Sequence, residues 1–281
     1  MRLGVMIGAE RGDSARKVTK LLDDIEWAEA AGMDTAWIPQ VPTDFDALTA
    51  VALMATRTTR IELGTAVVPL QTQHPIALAR QALSVHAAAG GRLALGVGPS
   101  HHWIIGDMLG LPYERPAAYT RDYLQVLNAA LSGPGPVDVA NDTFTVHNPL
   151  DLGPVAPLPV LVAALGPVML GIAGELTDGT VLWMADERAI GDHIAPRITK
   201  AADNAGGPPR ASSPESRSAY ARQRKSTRRG SGPTGSSARP RSRRTTSGYW
   251  NAVTPKTSVT CAPPATRRPS WPGSAALPTP G

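Results

Sequence analysis

The chain has 281 residues, of which 42% are hydrophobic, and this length allows either one large barrel or two modest domains. Its charge is divided unevenly, because residues 207–281 hold twelve Arg and two Lys against the single acid Glu215. That is a net of +13, so the overall charge of +5 leaves 5 − 13 = −8 on residues 1–206. The only cysteine, Cys261, excludes a disulfide framework and a cysteine-rich metal site, so redox chemistry would need a bound organic cofactor.

The amino-terminal sequence shows no basic leader followed by an apolar core and a small-residue cleavage site, so no signal peptide is predicted. No apolar run approaches the roughly 18 residues that a membrane span needs. Together these features predict a cytoplasmic protein with no membrane partner.

Six short apolar runs, each followed by a longer stretch of helical spacing, are predicted as strands. They are Leu3–Ile7, Thr35–Ile38, Ile61–Val68, Leu93–Val97, Pro159–Ala163 and Thr180–Met184. The first helix has an apolar stripe from Val18 to Ala28 and ends at Gly32. Later helices are predicted at Phe45–Thr56, Ile76–Ala89, Pro116–Leu131, Pro167–Glu175 and Glu187–Ala202.

This alternation of strand and helix predicts an α/β fold. Strands that are apolar throughout and return through helices belong to a parallel sheet, either a barrel or a doubly wound sheet. The pattern alone does not decide between the two. Residues 133–158 interrupt the alternation, and Thr143–Val146 within them predicts a small β excursion in a functional loop.

The pattern stops after Gly206. Residues 207–281 contain only Val253, Val259 and Leu277 from the set Val, Ile, Leu and Phe, against twelve Pro and thirteen Ser. That composition offers too little apolar surface to offset chain entropy, so an Arg/Pro/Ser-rich disordered tail is predicted. The domain prediction is therefore 1–206 for the folded part and 207–281 for the tail.

Three sequence motifs in residues 1–206 carry a resemblance to a known family. The stretch Ile61–Pro69 with His74-Pro75, the stretch Gly90–His101, and Val162–Pro167 with Ala173–Thr180 resemble successive units of the luciferase-like monooxygenase superfamily. Within that superfamily, the sequence is most similar to the actinobacterial coenzyme F420-dependent oxidoreductases. The resemblance implies a (β/α)8 TIM barrel, here incomplete with about six βα units, and a site at the carboxyl ends of the strands.

The resemblance also implies hydride transfer between F420 and an unidentified small organic substrate, with the coenzyme carrying the chemistry. Homodimers are expected for the family. FMN, in a luciferase-like monooxygenase on the same barrel, is the alternative cofactor. If the barrel lacks its last two units, the chain is expected to be inactive, with open edges at its first and sixth strands.

The resemblance implies that the cofactor ring lies against Thr65, Ala66 and Val67, and that the peptide bond between Ala66 and Val67 is a non-prolyl cis peptide. An ordinary buried strand is the alternative interpretation. Gly98 allows a close backbone approach, and Ser100 and His101 follow as polar groups, of which His101 is able to move a proton near neutral pH. A tight turn is the alternative for the glycine, and His102 is an alternative to His101.

Gly166 and Pro167 predict the start of a helix, because proline suits the first helical position. The free N–H groups there suit the phosphate of F420, and the alternative is a well-capped turn. The resemblance places Ala163 and Leu165 in the same cofactor site. Trp183 is predicted beside the phosphate-bearing arm, with a core tryptophan as its alternative.

Gln40 follows the second strand, where F420-dependent sugar dehydrogenases of the family carry an Asp-His pair. That pair is absent here, as is the glutamate those enzymes carry after the glycines of the fourth strand. The departures argue against a sugar-phosphate dehydrogenase and leave the general acid open. Gln40 and Glu10 are the remaining catalytic candidates beside His101, although Glu10 also reads as an exposed loop acid. No histidine spacing indicates a metal site.

The tail has two interpretations. Arginine pairs interleaved with Tyr249 and Trp250 have the chemistry of a nucleic-acid-binding arm on a non-catalytic remnant. No folded nucleic-acid-binding motif accompanies them, and out-of-frame translation of GC-rich coding DNA yields the same Arg/Pro/Ser/Gly mixture. The sequence favours the second interpretation, so no nucleic-acid partner is predicted.

Overall fold

A computed structural model of the chain describes residues 2–8, 13–133, 135–149, 156–206 and 219–220. Its main sheet is built from short strands, all at the predicted places except the last, which lies in the segment predicted to be disordered. They are β1 (Gly4–Met6), β2 (Thr35–Ile38), β3 (Glu62–Thr65), β4 (Val68–Pro69), β5 (Leu93–Gly98), β8 (Val160–Ala163), β9 (Gly179–Leu182) and β10 (Ala219–Tyr220). The predicted third strand is thus two strands, β3 and β4, separated by Ala66 and Val67.

The order of the strands decides between the two sheet types that the sequence left open. It is β1-β2-β3-β5-β8-β9-β10, with β4 also paired to β5, and every pairing is parallel. A doubly wound sheet reverses its strand order at a switch point, whereas this order follows the chain without reversal. The fold is therefore a TIM-barrel-like α/β sheet of six βα units, as the resemblance implied.

The helices close the outer face of this sheet. They are α1 (Ser14–Ala30), α2 (Ala47–Ala55), α3 (Pro75–Ala88), α4 (Pro116–Leu131), α5 (Pro167–Leu176), α6 (Glu187–Ala189) and α7 (Ala195–Asn204). Leu21, Ile25 and Ala28 of the predicted α1 stripe are buried. His74 caps α3, since its Nδ1 accepts a hydrogen bond from the N–H of Ile76 at 3.2 Å, and this gives His74-Pro75 a structural role.

Three features of the connecting segments were not predicted as the structure has them. The insertion between α4 and β8 is an antiparallel hairpin of β6 (Val137–Ala140) and β7 (Thr145–Asn148), of which the sequence indicated only the second strand. The segment after β5 contains a π-helical stretch, Trp103–Met108. A second one, Ile190–Ile194, joins α6 to α7 where a single helix was predicted.

The amino ends of the strands are held by charged side chains. Arg92 donates to the backbone oxygens of Ala55, Thr58 and Ile61 at 2.9 to 3.3 Å. Burial alone would raise the pKa of Glu29, but the N–H groups of residues 59–61 that donate to its carboxylate lower it to about 2. These contacts fix the entry to β3, so the opposite end of the sheet is the one left for binding.

Most of the predicted tail, including Cys261, Tyr249 and Trp250, lies outside the described residues. Disorder there, its out-of-frame origin and the boundary at Gly206 stay predictions. One part is described: Ala219 and Tyr220 of β10 pair with Val181 and Leu182 of β9. The expectation of an open edge at the sixth strand is therefore wrong over these two residues.

Candidate functional site

The carboxyl ends of the parallel strands meet along one edge of the sheet, and the predicted site residues follow them. The register pairs Ile38 with Thr65, and Pro69 with Gly98. It then pairs Val97 with Val162, and the next residue, Ala163, with Val181. The motifs that are far apart in sequence therefore lie side by side in space.

Between β3 and β4 the ladder to β5 is interrupted, and the Thr65 side chain replaces it. The Thr65 hydroxyl donates to the carbonyl of Gly96 at 2.7 Å and accepts from the N–H of Gly96 at 2.9 Å. Thr65 is fully buried, so it supports the site from behind. The peptide bond between Ala66 and Val67 is cis, as predicted, and both side chains are half-buried.

Gly98 is the point where the ends of three strands converge. A Cβ atom at Gly98 would lie 2.9 Å from the Cβ of Ala163 and 3.0 Å from Cγ2 of Val67. Real side chains do not tolerate such contacts, so glycine is required for Val67 and Ala163 to close on each other. Gly96, two residues earlier, is even more restricted, because a Cβ there would lie 1.9 Å from the backbone oxygen of Thr65. Three predicted cofactor residues thus form one continuous wall.

Helix α5 begins at this wall. Its N-cap is Gly166 and its first residue is Pro167, and no side chain caps the helix. A Cβ on Gly166 would meet nothing within 4 Å, so the space in front of the helix start is open. The first N–H groups of a helix have no intrahelical partner, and the helix dipole adds positive potential there. The predicted helix start is confirmed, and its geometry suits an anion.

Large apolar side chains that follow β8 and β9, and one in the first turn of α5, are exposed to solvent. Leu165 is 51% exposed, Val168 67%, Trp183 43% and Met184 77%. A monomeric protein seldom leaves several large apolar groups exposed side by side without a use for them. The exposure of Trp183 rules out the core position that was its alternative, and Trp183 directly follows the carboxyl end of β9.

The loop after β5 carries the candidate proton-transfer group. Ser100 adopts a left-handed backbone, with φ of 58°, and its carbonyl accepts from the Tyr113 hydroxyl at 2.9 Å. His101 is exposed and stacks on Trp103, with ring centroids 6.4 Å apart. His102 is held instead between the edge of Tyr113 and the carboxylate of Asp107. The two histidines therefore have different environments, and the His101 side chain has fewer contacts than that of His102.

Gln40 lies on the other side of the site, in the loop after β2. Its side-chain oxygen accepts from the N–H of Ala47 at 2.7 Å, which caps the start of α2. Gln40 also lines a cavity of about 340 Å³ beside β4. Glu10, the third catalytic candidate, lies outside the described residues.

Two contacts that position this edge were not found from sequence. His193 lies 3.0 Å from the carbonyl oxygen of Leu165 through Nε2, and so ties the second π-helical stretch to the start of α5. The Tyr113 bond to Ser100 spans 13 residues. Neither residue lies in a motif or at a telling spacing, so no sequence signal marks them. Among the described residues, no group of His, Cys, Asp or Glu is arranged to hold a metal ion.

Comparison with known proteins assigns this arrangement to a family. The family model described as luciferase-like monooxygenase matches residues 1–223. The chain belongs to the luciferase-like monooxygenase family. The match runs past the predicted boundary at Gly206 and includes β10. No helix in the described part of the chain is both long and apolar enough to cross a membrane.

Relatives within the family use different chemistry. A putative coenzyme F420-dependent oxidoreductase of Mycobacterium tuberculosis is 29% identical over 192 residues, which are 64% of this chain and 54% of the relative. A 4-hydroxyprotoasukamycin monooxygenase of Streptomyces nodosus is 32% identical over 170 residues, 55% of this chain and 44% of the relative. The chain spans about half the length of the curated relatives it matches.

Solved structures agree on the fold. The F420-dependent tetrahydromethanopterin reductase from Methanopyrus kandleri is 24% identical, with a TM-score of 0.61, covering 73% of this chain and 62% of that one. An FMN complex of a Baeyer-Villiger monooxygenase from Pseudomonas putida is 18% identical, with a TM-score of 0.62, covering 74% and 64%. At these identities the likeness shows the fold alone.

Proposed function

We propose that the chain is an oxidoreductase that binds coenzyme F420 at the carboxyl edge of its sheet and transfers a hydride between it and a small organic substrate. The observation that carries the proposal is the convergence of Val67, Gly98 and Ala163 beside the uncapped start of α5. The relative from Mycobacterium tuberculosis named for F420 supports the choice of coenzyme.

The residues present fit such a group. Val67, Gly98 and Ala163 form a flat apolar wall for a ring, since no side chain projects from Gly98. Open space at Gly166 and the free N–H groups of Val168 and Met169 suit the phosphate. Trp183 and Leu165 would cover the linking arm. When bound, the deazaflavin would supply or accept the hydride, and the protein's part is orientation and exclusion of water.

His101 is the group proposed to move the accompanying proton. It is exposed at the loop after β5, and stacking on Trp103 restricts its ring. Gln40 is proposed to orient substrate with its amide N–H groups, because its oxygen is already bonded to Ala47. Glu10 stays a reserve candidate for the general acid.

An FMN-dependent monooxygenase is the second candidate. Its support is the Streptomyces relative named as a monooxygenase, and the solved Pseudomonas structure in complex with FMN. Both cofactors carry a phosphate on a ring-bearing arm, so the helix start suits either one. A non-catalytic remnant with a basic arm is the third proposal and rests on the tail composition alone. Homodimerisation and a cytoplasmic location likewise stay proposals.

A titration distinguishes these candidates. F420 and FMN are added separately to the purified full chain and binding is followed by cofactor fluorescence, with F420 expected to bind the tighter of the two. Gly166→Val is expected to abolish binding, because its side chain would occupy the open space before α5. Gly171→Ala, in the same helix with open space at its Cβ, is the matched control and should bind normally. Binding of neither cofactor by the folded chain would contradict the proposal.

A further inference from the structure

A cavity of about 340 Å³ lies beside the candidate coenzyme wall and has not been given a role. It is bounded by the loop after β2, by β4 and its following turn, and by the π-helical stretch after β5. The residues Val68 and Pro69 that line it pair with Val97 and Gly98 of the wall. The cavity therefore adjoins the position proposed for the coenzyme ring. Its volume falls within the size range of small-molecule pockets.

The cavity is lined by two kinds of residue. The apolar ones are Val41, Pro42, Val68, Pro69, Ile104 and Leu109. The polar ones are Gln40, Asp44, Asp46, Thr72 and Gln73. A ligand that contacts both kinds has an apolar body and a polar end.

The charges of the polar lining residues determine which polar group of a ligand binds there. Asp44 is paired with Lys17 at 2.9 Å, and Lys17 itself does not line the cavity. Asp46 accepts from Thr49 and from the neutral amide of Gln81, through one carboxylate oxygen. None of the residues found to line this cavity is basic. The polar residues of the cavity therefore carry a net negative charge, with carboxylate acceptors on Asp44 and Asp46 and an amide donor on Gln40.

We infer that this cavity holds the organic substrate, and that the substrate is a neutral or cationic amphiphile with a hydrogen-bond donor, such as an alcohol or amine, and not a carboxylate or phosphate. This inference rests on the proposed function for its statement that the occupant is the hydride partner. The apolar residues bind the body of the molecule and the Asp46 carboxylate accepts from its donor group, while for an alcohol the Gln40 amide also donates to the hydroxyl oxygen. A bound anion would lie next to an unneutralised carboxylate and is disfavoured.

Three probes that share one ring test the inference: benzylamine, benzyl alcohol and benzoate. Their binding to the full chain is measured by ligand-observed NMR, without coenzyme. Benzylamine is expected to bind most tightly, benzyl alcohol next and benzoate least. Asp46→Asn keeps a good helix cap but removes the charge, so it should reduce the preference for benzylamine over benzoate by about threefold. Thr72→Lys should favour benzoate.

Asp138→Asn is the matched control, because it removes an exposed carboxylate on the hairpin that does not line the cavity. It should leave the order of the probes unchanged. Equal binding of benzylamine and benzoate, no binding of any probe at millimolar concentration, or an unchanged preference in Asp46→Asn would overturn the inference. F420 titration of the same samples is independent: failure to bind coenzyme with the probe order intact contradicts the proposed function alone, and the reverse result contradicts this inference alone.

Discussion

Thr65 stabilises the interruption between β3 and β4, which is where the candidate site lies. Its hydroxyl exchanges two hydrogen bonds with the backbone of Gly96, 31 residues away, where the ladder between β3 and β5 is interrupted. Buried backbone groups without partners are costly, so the hydroxyl does what a strand neighbour would otherwise do. The backbone is then free to turn outward at Ala66 and Val67.

Replacing Thr65 by Val keeps its shape and removes both hydrogen bonds. We expect the free energy of unfolding to fall by about 2–3 kcal/mol, because the N–H and carbonyl of Gly96 stay buried without that partner. Thr65→Ser keeps the hydroxyl and loses one methyl group, so its loss should be about 1 kcal/mol. Chemical denaturation measures both. Equal stability of the Val and Ser variants would show that the bonds to Gly96 are unimportant.

His86 is a second residue whose surroundings have a measurable consequence. It lies fully buried in the last turn of α3, beside the backbone of Leu93, Ala156 and Pro157, and neither ring nitrogen makes a hydrogen bond of good geometry to the described residues. Burial lowers the pKa of His86, although the adjacent backbone of Ala156, Leu93 and Pro157 partly opposes this shift. The folded protein therefore holds this histidine in its neutral form.

We expect stability to depend on pH through His86. Above about pH 6.5 neither state binds the proton, and the contribution of the neutral ring is fully present. As the pH falls from there toward the lower folded-state pKa, the unfolded chain takes up a proton first, so stability decreases by at most about 1.4 kcal/mol per pH unit. In His86→Leu this part of the decrease should vanish, as measured by thermal unfolding between pH 8 and 5. His101→Gln, at an exposed histidine, is the control and should keep the decrease. An unchanged slope in His86→Leu would contradict the assignment.

At the scale of elements, the start of α5 is where the sequence-based prediction and the structure agree best. Gly166 and Pro167 open the helix where predicted, since a proline at the first helical position needs no N–H partner. Its exposed residues Leu165 and Val168 leave the N–H groups accessible. The helix start is consequently a place where a small change in charge has a predictable effect.

Val168→Asp adds a negative charge to the first turn of α5. The helix dipole should stabilise the folded state by about 0.3–1 kcal/mol. The same charge repels a phosphate, so F420 affinity should fall about tenfold relative to Val168→Asn, which has nearly the same size and no charge. Thermal unfolding and fluorescence titration measure the two effects. Equal affinity of the Asp and Asn variants would place the phosphate elsewhere.

The sequence predicted those elements that are determined by residues close together in the chain, and missed contacts between residues that are far apart in it. Leu93–Gly98 and Val160–Ala163 are short apolar runs next to turn residues, so their strands follow from neighbouring residues. The hairpin strand Val137–Ala140 alternates too weakly to be recognised. The bond from Thr65 to Gly96 and the contact of His193 with Leu165 join residues about 30 apart, and only the assembled sheet brings them together. The site's wall was predicted from motif resemblance, whereas its supports had no sequence signal.

At the scale of the whole molecule, the last described strand of the sheet is short. Within the described residues β10 pairs with two residues of β9, and unpaired strand edges promote association with other chains. The charge of the chain also changes along its length, from −8 over residues 1–206 to +13 over the remainder. The carboxyl-terminal residues therefore affect stability and aggregation in two ways, through the pairing of β10 with β9 and through their positive charge.

Two truncations separate these contributions. The family match ends at residue 223, so a chain ending there keeps β10 and should unfold within about 2 °C of the full chain. A chain ending at Gly206 loses the partner of Val181 and Leu182, and its free energy of unfolding should fall by about 1–2 kcal/mol, which lowers the unfolding temperature by several degrees. Light scattering should also show more aggregation, since the edge of β9 becomes free.

Both truncations are acidic, at 5 − 13 = −8 for the shorter and 5 − 11 = −6 for the longer, so a difference in aggregation between them would reflect the missing strand and not charge. If the two unfold at the same temperature, β10 contributes nothing to the sheet and the folded part ends at Gly206.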